Sequence, residues 1–96
     1  MRPTALIHSR EDNVAVAVTD IKAGDEVNTV YLDDMSPGPS VKASNDIPLG
    51  HKVALRDIPK GSYVIKYGRP IGVATADIRA GEHVHVHNIK SIRWGW

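Results

Sequence analysis

One eight-residue pattern, Asp-Ile-x-x-Gly-x-x-Val, recurs four times in 96 residues: DIKAGDEV at 20–27, DIPLGHKV at 46–53, DIPKGSYV at 57–64 and DIRAGEHV at 77–84. The spacing between copies is irregular, which excludes a solenoid and leaves a local unit used four times. Its physics is readable from the residue types. The Asp carboxylate is predicted to accept hydrogen bonds from backbone N–H groups two or three residues on, closing a tight turn. The Ile points into the core, and the Gly supplies a backbone conformation other residues disfavour. The Val opens the next strand. Pro48 and Pro59 fit this scheme, because their fixed φ suits the start of the turn.

Short alternating or β-branched runs fill the intervals: NVAVAVT (13–19), VNTVYL (27–32), KVALR (52–56), SYVIKY (62–67), GVATA (72–76) and HVHVH (83–87). No stretch keeps a 3.6-residue apolar period for three turns. The expectation is an all-β domain of short strands. It is a single domain over 1–96, with its core at about 5–90 and a C-terminal tail at 91–96. The Pro/Gly/Ser stretch DDMSPGPS (33–40) is expected to be a mobile or partner-facing loop.

A chain this short buries only about 60–70% of its surface, so a partner is expected to add stability. There is no cysteine, which excludes disulfides and thiolate metal sites and fits a reducing, cytoplasmic setting. No apolar run is long enough for a signal peptide or a membrane span. Twelve basic and eleven acidic residues are interspersed. No basic block argues for nucleic acid. Trp94 and Trp96 stand at the end of the chain, where they are expected to pack on a partner or a second copy.

GEHVHVHN (81–88) carries the most chemistry. Taken as a strand, 83–87 puts His83, His85 and His87 on one face and Val84 and Val86 on the other, toward the core. Successive histidines would then stand about 7 Å apart at Cα. Imidazoles so placed can converge on one metal ion, clasp a carboxylate, or act as general acid and base. Single surface histidines commonly do nothing but face water; three in register, followed by Asn88, form a stronger pattern. Nitrogen and oxygen donors without thiolate suit a divalent ion such as Fe²⁺, Mn²⁺ or Mg²⁺. If the turns gather at one end of the domain, His51, Lys52 and Lys66 join the histidine row. The set then suits a small anionic substrate. No nucleophile motif, phosphate loop or HExxH is present, so the chain reads as a lid or half-site rather than a complete enzyme.

DNVAVAVTDIKAG (12–24), IPLGHKVALRDIPKGSYVIKYGRPIG (47–72) and ATADIRAGEHVHVHN (74–88) together resemble the N-terminal SAF domain of the altronate and galactarate dehydratase family. The resemblance implies a β-clip fold. It implies a lyase that removes water from a sugar acid with a divalent metal, Fe²⁺ being the first candidate. A sister group cleaves sulfite from (2R)-3-sulfolactate using a small SAF subunit and a large one. The chain ends soon after HNIKSIRW, where fused members continue, so the expected form is the small subunit of a two-component lyase. That form would be inactive without its large catalytic subunit, and self-association is a further expectation. Carried over onto this sequence, His85 and His87 would ligate the metal or move protons. His83 and Asn88 would contact substrate or support those that do, and His51, Lys52 and Lys66 would steer its acid groups. The other class left open is a non-catalytic SAF module that binds a sugar or a protein surface.

Overall fold

The structure, a computed structural model, describes residues 2–92. Trp94 and Trp96 lie outside the described residues. Ten short strands and no helix make up the described chain, as expected for an all-β domain. Strands β1 (Ala5–Ile7), β2 (Val14–Ala17), β4 (Thr29–Tyr31), β6 (Lys52–Ala54) and β9 (His83–Val84) form one sheet in the order β4-β1-β2-β6-β9. Within it β1 and β4 run parallel and the other pairs are antiparallel. Strands β7 (Tyr63–Lys66), β8 (Arg69–Ala74) and β10 (Ile89–Ser91) form a second sheet. A two-stranded ribbon pairs β3 (Glu26–Val27) with β5 (Val41–Lys42).

The apolar residues divide into two clusters. Alternation along β2 and β6 sends Ala15 and Val53 to one, with Ile7, Ile21, Val27 and Ile47. Their neighbours Val14 and Ala54 go to the other, with Ile58, Val64, Ile78 and Val84. Both faces of the central strands are therefore largely buried, which is why VAVA (14–17) is apolar throughout rather than alternating with polar residues.

The repeat units build the turns, but not each by itself. The expectation that every Asp closes its own turn is corrected: the turns cap one another in pairs. Asp20 accepts from the Leu49 N–H and Asp46 from the Ala23 N–H, each at 2.9 Å. Asp57 accepts from Ala80 and Asp77 from Lys60, again each at 2.9 Å. Between the carboxylates, Ile21 and Ile47 exchange backbone hydrogen bonds, as do Ile58 and Ile78. Units one and two thus form a reciprocal pair over the first cluster, and units three and four over the second. Each turn carries its Gly at φ between +87° and +93°, the conformation that a type II turn demands at its third position.

A different aspartate organises the opposite hairpin. β7 and β8 are joined by Tyr67 and Gly68, both left-handed at φ 58° and 71°, a two-residue turn that matches strand twist. A non-glycine residue disfavours this conformation. The buried Asp12 carboxylate offsets that cost by accepting from the backbone N–H groups of Ser9, Tyr67 and Gly68 at 2.9–3.2 Å. The first half of the 33–40 loop, expected to be mobile or partner-facing, makes side-chain contacts with the rest of the chain. Arg10 donates to Asp33, Asp34 and Ser36, and its guanidinium lies 4.0 Å from the centre of the Tyr31 ring.

Candidate functional site

Two turns meet at the edge of the five-stranded sheet. The second repeat unit carries His51 and Lys52 just before its closing Val53, and β6 pairs antiparallel with β9, so His83 and Val84 lie alongside it. The strand expected over 83–87 stops at Val84. The cause is Asn88. Its side-chain carbonyl accepts from the His85 N–H at 3.0 Å, and its amide donates to the His83 carbonyl at 2.8 Å. The backbone N–H groups of Asn88 and Ile89 both reach back to the His85 carbonyl. The chain folds into a turn over 85–88 instead of continuing straight. Val86, expected to face the core, is 79% exposed at the tip of that turn.

The turn brings the imidazoles closer than a strand could. The His51 and His85 rings stack with centroids 4.0 Å apart, and His83 lies 5.0 Å from His51 and 5.6 Å from His85. His51 Nδ1 and His83 Nε2 are 2.8 Å apart and hydrogen-bonded. One ring donates and the other accepts, so at least one is neutral. The His87 ring is 5.1 Å from His83, and both line a cleft of about 460 Å³ with Asn45, Asp77, Glu82 and Asn88. The two carboxylates in that cleft are engaged in turns: Asp77 on Lys60, and Glu82 on the Arg79 N–H at 2.6 Å.

Electrostatically the cluster is crowded with cations. Burial lowers the pKa of His83, and His87, His51, His85 and Lys52 lower it further. Burial likewise lowers His85, reinforced by His51, Lys52 and His87. Burial, then Lys66, lowers Lys52. No carboxylate is among the groups shifting either histidine. His83 and His85 are held toward the neutral form, which is the form that binds metal or accepts a proton.

Of the expected site residues, His51, Lys52, His83, His85, His87 and Asn88 are gathered here. Lys66 is not in the ring cluster: its Nζ lies 4.8 Å from the centre of the Tyr67 ring, and its charge acts on Lys52 and His8. The expected metal pair was His85 with His87. The three histidines whose ring nitrogens all lie within 4.8 Å of one another are His51, His83 and His85, with His87 beside them. Two residues were missed. Asn45 accepts from the His83 N–H at 3.0 Å; its position just before Asp46 of a repeat was the only available signal. His8 packs against Tyr67 with ring centroids 4.4 Å apart and the planes tilted by 47°, and nothing in the sequence pointed to it.

Among the described residues no helix is long and apolar enough to cross a membrane. Comparison with known proteins gives a consistent result. Altronate dehydratase from Escherichia coli is 51% identical over 80 residues, which is 83% of this chain and 15% of that protein. Altronate dehydratase from Bacillus subtilis is 41% identical over 91 residues, 95% of this chain and 17% of that protein. The chain therefore spans less than a fifth of either dehydratase. The (2R)-sulfolactate sulfo-lyase subunit alpha from Chromohalobacter salexigens is 38% identical over 89 residues, 93% of this chain and 95% of that subunit. Residues 3–92 match the altronate/galactarate dehydratase SAF domain, and this chain belongs to that family of lyase-related domains.

Proposed function

We propose that this chain is the small subunit of a two-component lyase acting on a small hydroxy acid, removing either water or sulfite, with its histidine turn forming half of the active site. The observation that carries this is the convergence of His51, His83 and His85 beside Lys52, with only cationic or imidazole neighbours acting on His83 and His85. Such a surface calls for anions. A substrate carboxylate and a larger, acid-bearing chain would supply them. The resemblance to a sulfo-lyase subunit along 95% of that subunit's length supports the two-component form. The cysteine-free sequence accords with a cytoplasmic setting.

The residues present fit a divalent ion. One ring nitrogen from each of His51, His83 and His85 lies within 4.8 Å of the other two, and the lowered basicity of His83 and His85 leaves lone pairs free. We assign the ion to His51, His83 and His85, with Fe²⁺ as the first candidate because the family resemblance implies it and imidazole donors accommodate it. When bound, such an ion stabilises negative charge developing on oxygen. With those three rings engaged, His87 is the group left to move a proton, since it is exposed on the cleft beside His83. Lys52 holds the substrate carboxylate, and Lys66 adds to the attracting field. The proton beside the carboxylate passes to the base. The electron pair forms the new C=C bond as the β-hydroxyl, or the sulfite, departs.

The test is co-expression with the large chain of a lyase from the same organism, followed by purification, metal analysis and assay on altronate, galactarate and (2R)-3-sulfolactate. A stable complex that holds metal and turns over one of these acids, with the small chain alone inactive, is expected. A chain that binds sugar by itself, with neither metal nor partner, supports the non-catalytic module instead.

A further inference from the structure

The geometry points to Asn45 and Asn88 as positioning residues, which assemble the imidazole cluster by clamping backbone. This deepens the proposed function but is carried by hydrogen bonding alone. His83 is held on both sides of its peptide: Asn45 accepts its N–H at 3.0 Å and Asn88 donates to its carbonyl at 2.8 Å. The same Asn88 accepts the His85 N–H at 3.0 Å. One side chain thus spans the backbone of two of the three clustered histidines, and its carbonyl and one amide hydrogen are both committed. This assigns Asn88 a role other than substrate contact.

Asn45 is seated by a tight backbone contact. Ser44 N–H donates to the Gly81 carbonyl at 2.9 Å. A Cβ at Gly81 would overlap the Lys42 carbonyl oxygen, so segment 42–45 packs directly on the fourth turn. From there the chain runs through Asp46, which caps the first turn, to His51. A single ten-residue stretch therefore delivers both a clamp on His83 and the ring that bonds to it. The asparagines fix where the rings stand, and the strand register alone would not, because β9 ends at Val84.

The two side chains differ in what they must offer, and that makes the inference testable. Asn45 acts only as an acceptor, so Asn45→Asp keeps its function and Asn45→Ala removes it. Asn88 both accepts and donates, so Asn88→Asp cannot restore it: a carboxylate placed on the His83 carbonyl repels it. The experiment is proton NMR of the full chain without metal, reading the NOE between the His51 and His85 rings and the exchange protection of the His83 amide. Wild type and Asn45→Asp are expected to show both. Asn45→Ala is expected to lose the His83 protection. Asn88→Ala and Asn88→Asp are expected to lose the ring contact while the amides of Ile58 and Ile78 remain protected. A folded Asn88→Ala or Asn88→Asp that keeps the ring contact overturns the inference. If Asn88→Ala does not fold, Asn88→Asp decides alone. An assembled enzyme that proves inactive on every acid, with these NOEs intact, counts against the proposed function and leaves this inference standing.

Discussion

Asp12 shows how much one residue can hold in a domain this small. Its buried carboxylate takes three backbone N–H groups from two separate turns. Asp12→Ala leaves those donors unsatisfied, and a loss of about 3 kcal/mol is expected by urea denaturation. Asp34 is a surface counterpart with a pH signature. The side-chain and backbone hydrogen bonds of Ser36 hold its carboxyl down at about 2, below the ordinary carboxylate range. Because the folded-state value is depressed, its contribution to the 33–36 loop is complete above the unfolded value of about 3.9. That contribution is lost as pH falls through about 2. An NMR titration is expected to place the Asp34 midpoint near 2 and to move it up in Ser36→Ala. None of this was visible in the sequence. Asp12 and its partner amides at Tyr67 and Gly68 lie more than fifty positions apart.

At the level of elements, the repeat unit was legible and its pairing was not. Asp, Ile, Gly and Val at fixed spacing declare a turn between two strands. Which turn an Asp caps depends on tertiary packing. The structure sends the leading Asp of every repeat unit across to the opposite unit. Asp46→Ala is therefore expected to cost about 1 kcal/mol and to expose the Ala23 amide to hydrogen exchange, leaving the amides of its own turn unchanged. Loss of protection at Leu49 instead would contradict the reciprocal arrangement. The histidine row was also legible, through a pattern with two physical solutions. Alternate positions share a face in a strand, but residues 83, 85 and 87 can also be gathered by a turn if something satisfies the freed backbone groups. Asn88 does so, and Val86 is turned outward as a result. His51 was placed in the site only on the assumption that the turns gather, and the pairing of β6 with β9 supplies that gathering.

At the scale of the molecule, the site is open. Its three clustered rings stand at a sheet edge, the cleft beside them is shallow, and the altronate dehydratases it resembles devote more than four-fifths of their length to something else. A chain of this size can present ligands and steer an acid, while the enclosure that excludes water has to come from a second surface. Glycine 81 sits where that arrangement is least tolerant. Gly81→Ala drives a methyl group into the Lys42 carbonyl at a left-handed position. It is expected to destabilise the domain by about 2 kcal/mol or more, seen as a lowered Tm. It should also weaken assembly with the large chain proposed above, by displacing the histidine turn.

The most direct test is the turnover of the assembled two-chain lyase carrying His87→Asn. In the proposed two-chain enzyme, with the three histidines assigned to the ion intact and the group proposed to move the proton gone, metal content is expected to stay at the wild-type level. The rate constant for elimination is expected to fall by about a hundredfold or more. Wild-type turnover in that variant would contradict the assignment of chemistry to this turn.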